Sequence, residues 1–143
     1  MTMDSDARLA HDRTHGAGAR TWYFPDGDRP PGDGGPIAAH ESLMVLNVSA
    51  RPATVQLDLY WEDRDPTLGI TVHVDAQRVR SLRVPWWDDP RDRDRSDVPL
   101  RTQYAIRVRS DVPVICQYGR LEVIPSYALY TTMGYVDADE EGT

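Results

Sequence analysis

Short stretches in which apolar and polar residues alternate recur along this chain, and no stretch carries the three-to-four-residue spacing of an amphipathic helix. The cleanest covers residues 54–61, where Val55, Leu57, Leu59 and Trp61 fall on one face and Thr54, Gln56, Asp58 and Tyr60 on the other. A period of two is the mark of a strand with one buried and one solvated face. Tyr104, Ile106 and Val108 alternate with Ala105, Arg107 and Arg109 in the same way, which predicts a strand over 104–110. Further strands are predicted over 41–49, 69–76, 78–84, 113–122 and 127–135, with a short aromatic segment at 21–24. Short strands separated by turn residues point to an all-β fold, an antiparallel β-sandwich or barrel.

One strand departs from simple alternation. Leu43 and Val45 share a face, yet Met44 and Leu46 make the opposite face apolar too. A sheet in a small sandwich keeps one face wet, so a doubly apolar strand predicts that a loop or another subunit covers it, with oligomerisation the preferred reading. The run PDGDRPPGDGGP over 25–36 reads as a long Gly/Pro loop, and DDPRDRDRSD over 88–97 as a solvated Asp/Arg insert. Residues 1–20 and 137–143 read as flexible tails, the second acidic, which leaves a single folded domain over 21–136.

Composition narrows the function classes. The 143 residues carry a formal net charge of −7, and every one of the 16 basic residues is Arg. That balance argues against nucleic acid as a partner, and Arg107 and Arg109 read as one solvated sheet face. No apolar run is long enough to cross a bilayer and the first residues lack a secretory core, so no membrane insertion and a cytoplasmic location are expected. The lone Cys116 sits in an apolar run, as a buried structural thiol would, and excludes an intrachain disulfide.

Catalytic chemistry has no constellation to rest on. His40 and Glu41 are neighbours in a strand, so their side chains point to opposite faces and cannot converge on one atom. His73 alternates with Val72 and Val74 on a wet face, His11 and His15 lie in the tail, and no metal or cofactor is expected. A carbohydrate-active enzyme would need Glu41 paired with Asp26, Asp28 or Asp33, about 5–10 Å apart across the scissile bond. Recognition without chemistry is the better fit, and no enzymatic activity is expected. Trp22, Tyr60, Trp86 and Trp87 offer flat apolar rings, while His40, Glu41, Asn47, Gln117 and Arg120 offer hydrogen-bonding groups. The same residues also admit structural roles: Asn47 and Gln117 satisfying backbone groups, Arg120 pairing with Glu41 or Glu122, the tryptophans in the core. Gln117 and Arg120 are three apart and face opposite ways in an unbulged strand, so only one can line a given pocket.

With these residues in view the chain resembles the sensory rhodopsin transducer family over roughly residues 21–135. The resemblance rests on Trp22, the Gly/Pro loop closing at Pro36, His40-Glu41 leading to Leu46-Asn47, and the Tyr60 strand with the segment 63–66. It continues through Arg78 and, above all, Ser110-Asp111-Val112-Pro113-Val114 with Gln117 and Arg120-Leu121. It implies a β-sandwich protomer, a homotetramer, no catalytic activity, and ligand-binding or interface residues Trp22, His40, Glu41, Asn47, Gln117 and Arg120. The expected function is a small-molecule-binding signalling domain whose ligand is sugar-like or carboxylated. The alternative is a protein-interaction adaptor for a microbial sensory rhodopsin. The tail of about 20 residues and the insert at 88–97 depart from the family pattern.

Overall fold

In a computed structural model the chain is described over residues 5–7, 10, 16–32, 35–84 and 98–137. Eight strands follow one another: β1 (Ala19–Asp28), β2 (His40–Asn47), β3 (Ala53–Trp61), β4 (Thr67–Val74), β5 (Arg78–Val84), β6 (Gln103–Glu122), β7 (Ala128–Met133) and β8 (Tyr135–Val136). Every pairing between them is antiparallel. The expected all-β architecture is what the chain adopts. Trp86, Trp87, Asp33, His11, His15 and the insert at 88–97 lie outside the described residues.

The strands form two layers that share β6. Its first half pairs with β3 and β1 in the order β4-β3-β6-β1-β8, and its second half pairs with β2 and β7, with β5 beyond β2. The sequence pattern predicts two strands here, over 104–110 and 113–122; the structure has one of 20 residues. Pro113 interrupts the pattern without breaking the strand because it sits where β6 changes partners, so no ladder bond requires its missing N–H. Pairing with β3 ends at Ser110, pairing with β2 begins at Ile115, and β1 skips from Arg109 to Val114.

Side chains take over at that changeover. The Asp111 carboxylate accepts the Thr54 N–H at 2.8 Å, and the Trp22 indole N–H lies 3.0 Å from the Val114 carbonyl and 3.1 Å from that of Ala19. Gly18 crosses so closely that a Cβ there would fall 2.1 Å from the Val114 oxygen, at a φ of +95° that side chains disfavour. The loop expected over 25–36 starts late, since β1 continues to Asp28, and the strand expected over 127–135 divides at Gly134.

The core lies between the layers, where Leu43, Val45, Val55, Leu57, Leu59 and Ile106 are buried as alternation predicts. Cys116 is buried with them, and burial pushes its thiol pKa up. Asp58 corrects the expectation of a wet face on β3, for it is fully buried. Arg107 Nε and Arg109 Nε donate to its Oδ2 at 2.8 and 2.9 Å, Arg109 Nη2 to Oδ1 at 3.0 Å, and the Gly69 N–H to Oδ1 at 2.9 Å. Burial alone would raise this carboxyl, but the bonds from Arg109, Gly69 and Arg107 outweigh it and hold the pKa low. Gly69 and Leu68 form a bulge opposite Asp58, which explains how a backbone N–H reaches the carboxylate.

Candidate functional site

Glu41 enters the interior because it occupies the same face of β2 as Leu43 and Val45, and it has no exposed surface. Its register partner on β6 is Arg120, and that of Leu43 is Tyr118, so Arg120 and Tyr118 project to the same side. Tyr104, at the other end of β6, reaches across from the opposite layer. The carboxylate thus sits between the sheets at one end of the sandwich.

Three donors converge on a single oxygen. Glu41 Oε1 accepts the Tyr118 hydroxyl at 2.6 Å, the Tyr104 hydroxyl at 2.9 Å and the Asp28 backbone N–H at 2.9 Å. Glu41 Oε2, by contrast, is buried with no hydrogen-bond partner, as are Asp28 Oδ1 and Arg120 Nε and Nη1. Arg120 comes within 3.7 Å of Asp26 Oδ1 and of Glu122 Oε1, which is ion-pair range but too long for a hydrogen bond. Folded proteins rarely leave buried polar atoms unpaired, since each costs about 1–3 kcal/mol, more when charged.

Burial pushes the Glu41 carboxyl above its ordinary range, opposed by the two phenols, the Asp28 N–H and the Arg120 charge. Burial together with the neighbouring Glu41 carboxylate likewise drives the Tyr104 and Tyr118 phenols up, so both stay protonated and act as donors. Aromatic rings wall the cluster. Trp61 packs on Tyr104 with centroids 5.7 Å apart, Tyr118 meets Phe24 and Tyr130, and the Arg120 guanidinium lies 5.3 Å above the Tyr130 ring.

Of the six residues picked out in the sequence, the structure brings together Glu41 and Arg120. Trp22 is a core side chain whose N–H is spent at the β6 changeover. His40 faces away from Glu41, its Nδ1 3.1 Å from the Ala38 carbonyl, and Gln117 is exposed on the outer face opposite Met44 and Met133. Asn47 is buried at the far end of β2, donating to the carbonyls of Arg51, Val74 and Asp75 and accepting from the Ser49 N–H and hydroxyl. Every polar group it has is committed to turns. Asp28, which the sequence offered as a second carboxylate for Glu41, does adjoin it, through its backbone.

Tyr104 and Tyr118 complete the cluster and were not singled out as partners of Glu41. Tyr118 could have been, because it precedes Arg120 by two residues and so shares its face. Nothing local in the sequence reveals that Tyr104 meets them from the other layer. A separate cavity of about 290 Å³ lies beside the end of β6, lined by Gly32, Gly35, Ile37, Val123, Ile124 and Tyr127 and without Glu41 or Arg120. Among the described residues no three His, Cys, Asp or Glu side chains cluster to hold a metal ion, and no helix is long and apolar enough to cross a membrane.

Comparison with known proteins matches residues 17–136 to the family model described as Anabaena sensory rhodopsin transducer. Among solved structures, the chain is similar to the crystal structure of Thermotoga maritima 1070, with 34% identity and a TM-score of 0.72 over 84% of this chain and 96% of that one. It is also similar to the Anabaena sensory rhodopsin transducer, with 28% identity and a TM-score of 0.61 over 76% of this chain and 94% of that one. No curated protein sequence matches.

Proposed function

Since the chain belongs to the sensory rhodopsin transducer family, whose members share this sandwich, we propose that it is a non-catalytic signalling domain that binds a small polar molecule between its sheets. The unpaired buried atoms of Glu41, Asp28 and Arg120 carry this reading: a polar ligand supplies the partners that the protein itself does not. Both chemical classes expected from the sequence, sugar-like and carboxylated, contain such partners.

Signal output in this reading passes through subunit contacts of a cytoplasmic homotetramer. The support is the second face of β2, where Met44 and Leu46 continue into Ile115 on β6 and the exposed Met133 on β7. A thermal-shift screen of the purified protein against sugars, sugar acids and small carboxylates tests the binding reading. Stabilisation that saturates with concentration is the expected result, as a ligand of the folded state requires. A flat screen with Arg120→Ala indistinguishable from the parent would remove the site. Light scattering on a sizing column gives the subunit number, with four expected.

The second reading is an adaptor for a membrane photoreceptor, favoured by the likeness to the Anabaena sensory rhodopsin transducer. It predicts salt-sensitive binding to the cytoplasmic face of a microbial rhodopsin reconstituted in nanodiscs. Loss of that binding on charge reversal at the protein surface, with the Glu41 cluster intact, would favour it over the ligand sensor.

A further inference from the structure

We propose that the acidic segment 137–143 docks on the outer face of the β4-β3-β6-β1-β8 layer, with its carboxylates on the guanidiniums of Arg107 and Arg109. The proposal is independent of the ligand-binding reading.

Register sets both arginines on one face. Arg107 stands between Asp58 and Tyr23, and Arg109 between Gln56 and Thr21, in two rows that cross β3, β6 and β1. Asp58, fully buried beneath them, accepts from Nε of both and from Nη2 of Arg109. Two positive charges thus share one buried negative charge. The pair stays net positive in a chain whose formal charge is −7. Among the described residues Asp58 is the only carboxylate in ion-pair range of either arginine, and the Tyr23 hydroxyl also bonds Arg107. A guanidinium carries five N–H donors, and these side chains are 29% and 41% exposed, so further donors are within reach from outside. The Tyr60 ring, 5.5 Å from the Arg107 guanidinium, helps to hold it. A carboxylate arriving there does not have to order the arginines first.

The acidic segment leaves from the edge of the same face. β8 pairs with β1 through Tyr135 opposite Tyr23 and Val136 opposite Trp22. One further step of that register brings Asp137 level with Thr21, the β1 partner of Arg109. β8, β1 and β6 are consecutive strands, so about 10 Å separates the first from the third, a span that about three extended residues cover. Asp139, Glu140 and Glu141 follow within that reach. Exposed ion pairs are individually weak, but so short a tether supplies an effective concentration on the order of millimolar.

Other arginines suit the segment less well. Arg64 sits on Asp63, and Arg101 and Arg120 on Glu122. Arg78, Arg80 and Arg83 lie on β5, at the edge of the other layer. Arg20, exposed on β1, is a single charge.

Replacing either arginine would also disturb Asp58, so the experiment alters the tail and the face around the pair. A nitroxide is attached to the full chain through Gly142→Cys; Cys116 is fully buried and does not compete for the reagent. Its electron spin resonance spectrum is expected to show a slow, docked component in about 0.1 M salt. Raising salt to about 1 M, which shortens the screening length from about 10 to 3 Å, is expected to at least double the mobile fraction. Asp139→Asn combined with Glu140→Gln and Glu141→Gln is expected to do the same at the lower salt. Gln56→Glu, which sets a carboxylate opposite Arg109 and leaves Asp58 untouched, is expected to release the tail as well. Arg83→Gln on β5 is expected to leave the spectrum unchanged, with circular dichroism checking that each variant folds. A mobile fraction indifferent to salt and to neutralising the tail overturns the proposal. So does one that rises with Arg83→Gln and not with Gln56→Glu.

Discussion

Replacing Glu41 by Ala and by Gln should have very unequal consequences, and the gap between the two measures how the buried carboxylate is held. Ala removes the acceptor of two buried phenols, Tyr104 and Tyr118, and of the Asp28 N–H, and it strips Arg120 of its facing charge. Breaking one side of a buried charged network costs about 3–5 kcal/mol, and two stranded phenols at about 1–3 kcal/mol each give the same scale. Gln keeps an oxygen where the three donors converge, so its cost near pH 5 should stay within about 1 kcal/mol. The pH dependence sharpens the test. Burial raises the Glu41 pKa in the folded state, so the unfolded chain ionises first, near 4.5. The contribution of Glu41 is therefore full below that value and declines as pH rises through the folded pKa. The Gln variant lacks this decline and should gain on the parent protein as pH rises above about 4.5, until the folded carboxyl is fully ionised, and then run parallel to it. Urea titrations at half-unit pH steps read both effects. A Gln variant that loses ground as pH rises would refute the burial argument, and an Ala variant within 1 kcal/mol of the parent would refute the network.

Other sites give independent checks. Asp58→Ala should cost about 3–5 kcal/mol, because it leaves two arginines and the bulge N–H without their common acceptor. Since the Asp58 pKa is held below its ordinary 3.8, its contribution is present above that value and lost as pH falls through the folded one, so Asp58→Asn should flatten acid denaturation below pH 4. Gly18→Ala, which sets a Cβ against the Val114 carbonyl at a positive φ, should lower stability by at least about 1–3 kcal/mol, seen as a fall in Tm. Asn47→Ala should cost about 2–4 kcal/mol in a urea melt, through two or more lost buried bonds, while leaving ligand titrations unchanged.

Alternation made most of the strands readable. Residues 78–84 match β5 end to end, and the inward set Tyr104, Ile106 and Val108 stands as expected. Glu41 and Arg120 stood out only as polar residues punctuating apolar strands, and the face they share was not read from the pattern. What alternation does not contain is which layer a strand joins. Pro113 looks like an end because proline usually is one, and only the exchange of partners around it makes β6 continuous. Asp58 was misjudged for a related reason: its burial is secured by arginines distant in sequence, whereas Asn47 takes the backbone-satisfying role that its residue type admitted. Tyr104 and Tyr118 belong to one strand and meet one carboxylate because that strand visits both sheets.

That shared strand also fixes an order of events during synthesis. Among the described residues β1 pairs only with β6 and β8, β2 with β5 and β6, and β3 with β4 and β6. While the ribosome is still upstream of the β6 codons, only the β3–β4 and β2–β5 pairs can close, and β1 has nothing to zip onto. The late arrival of residues 103–122 then recruits every waiting edge at once. Long-range closure of this kind folds slowly, over about milliseconds to seconds, and leaves unpaired edges exposed on the nascent chain. A stalled chain ending before β6 should accordingly be captured by chaperones and degraded, while one that includes it escapes.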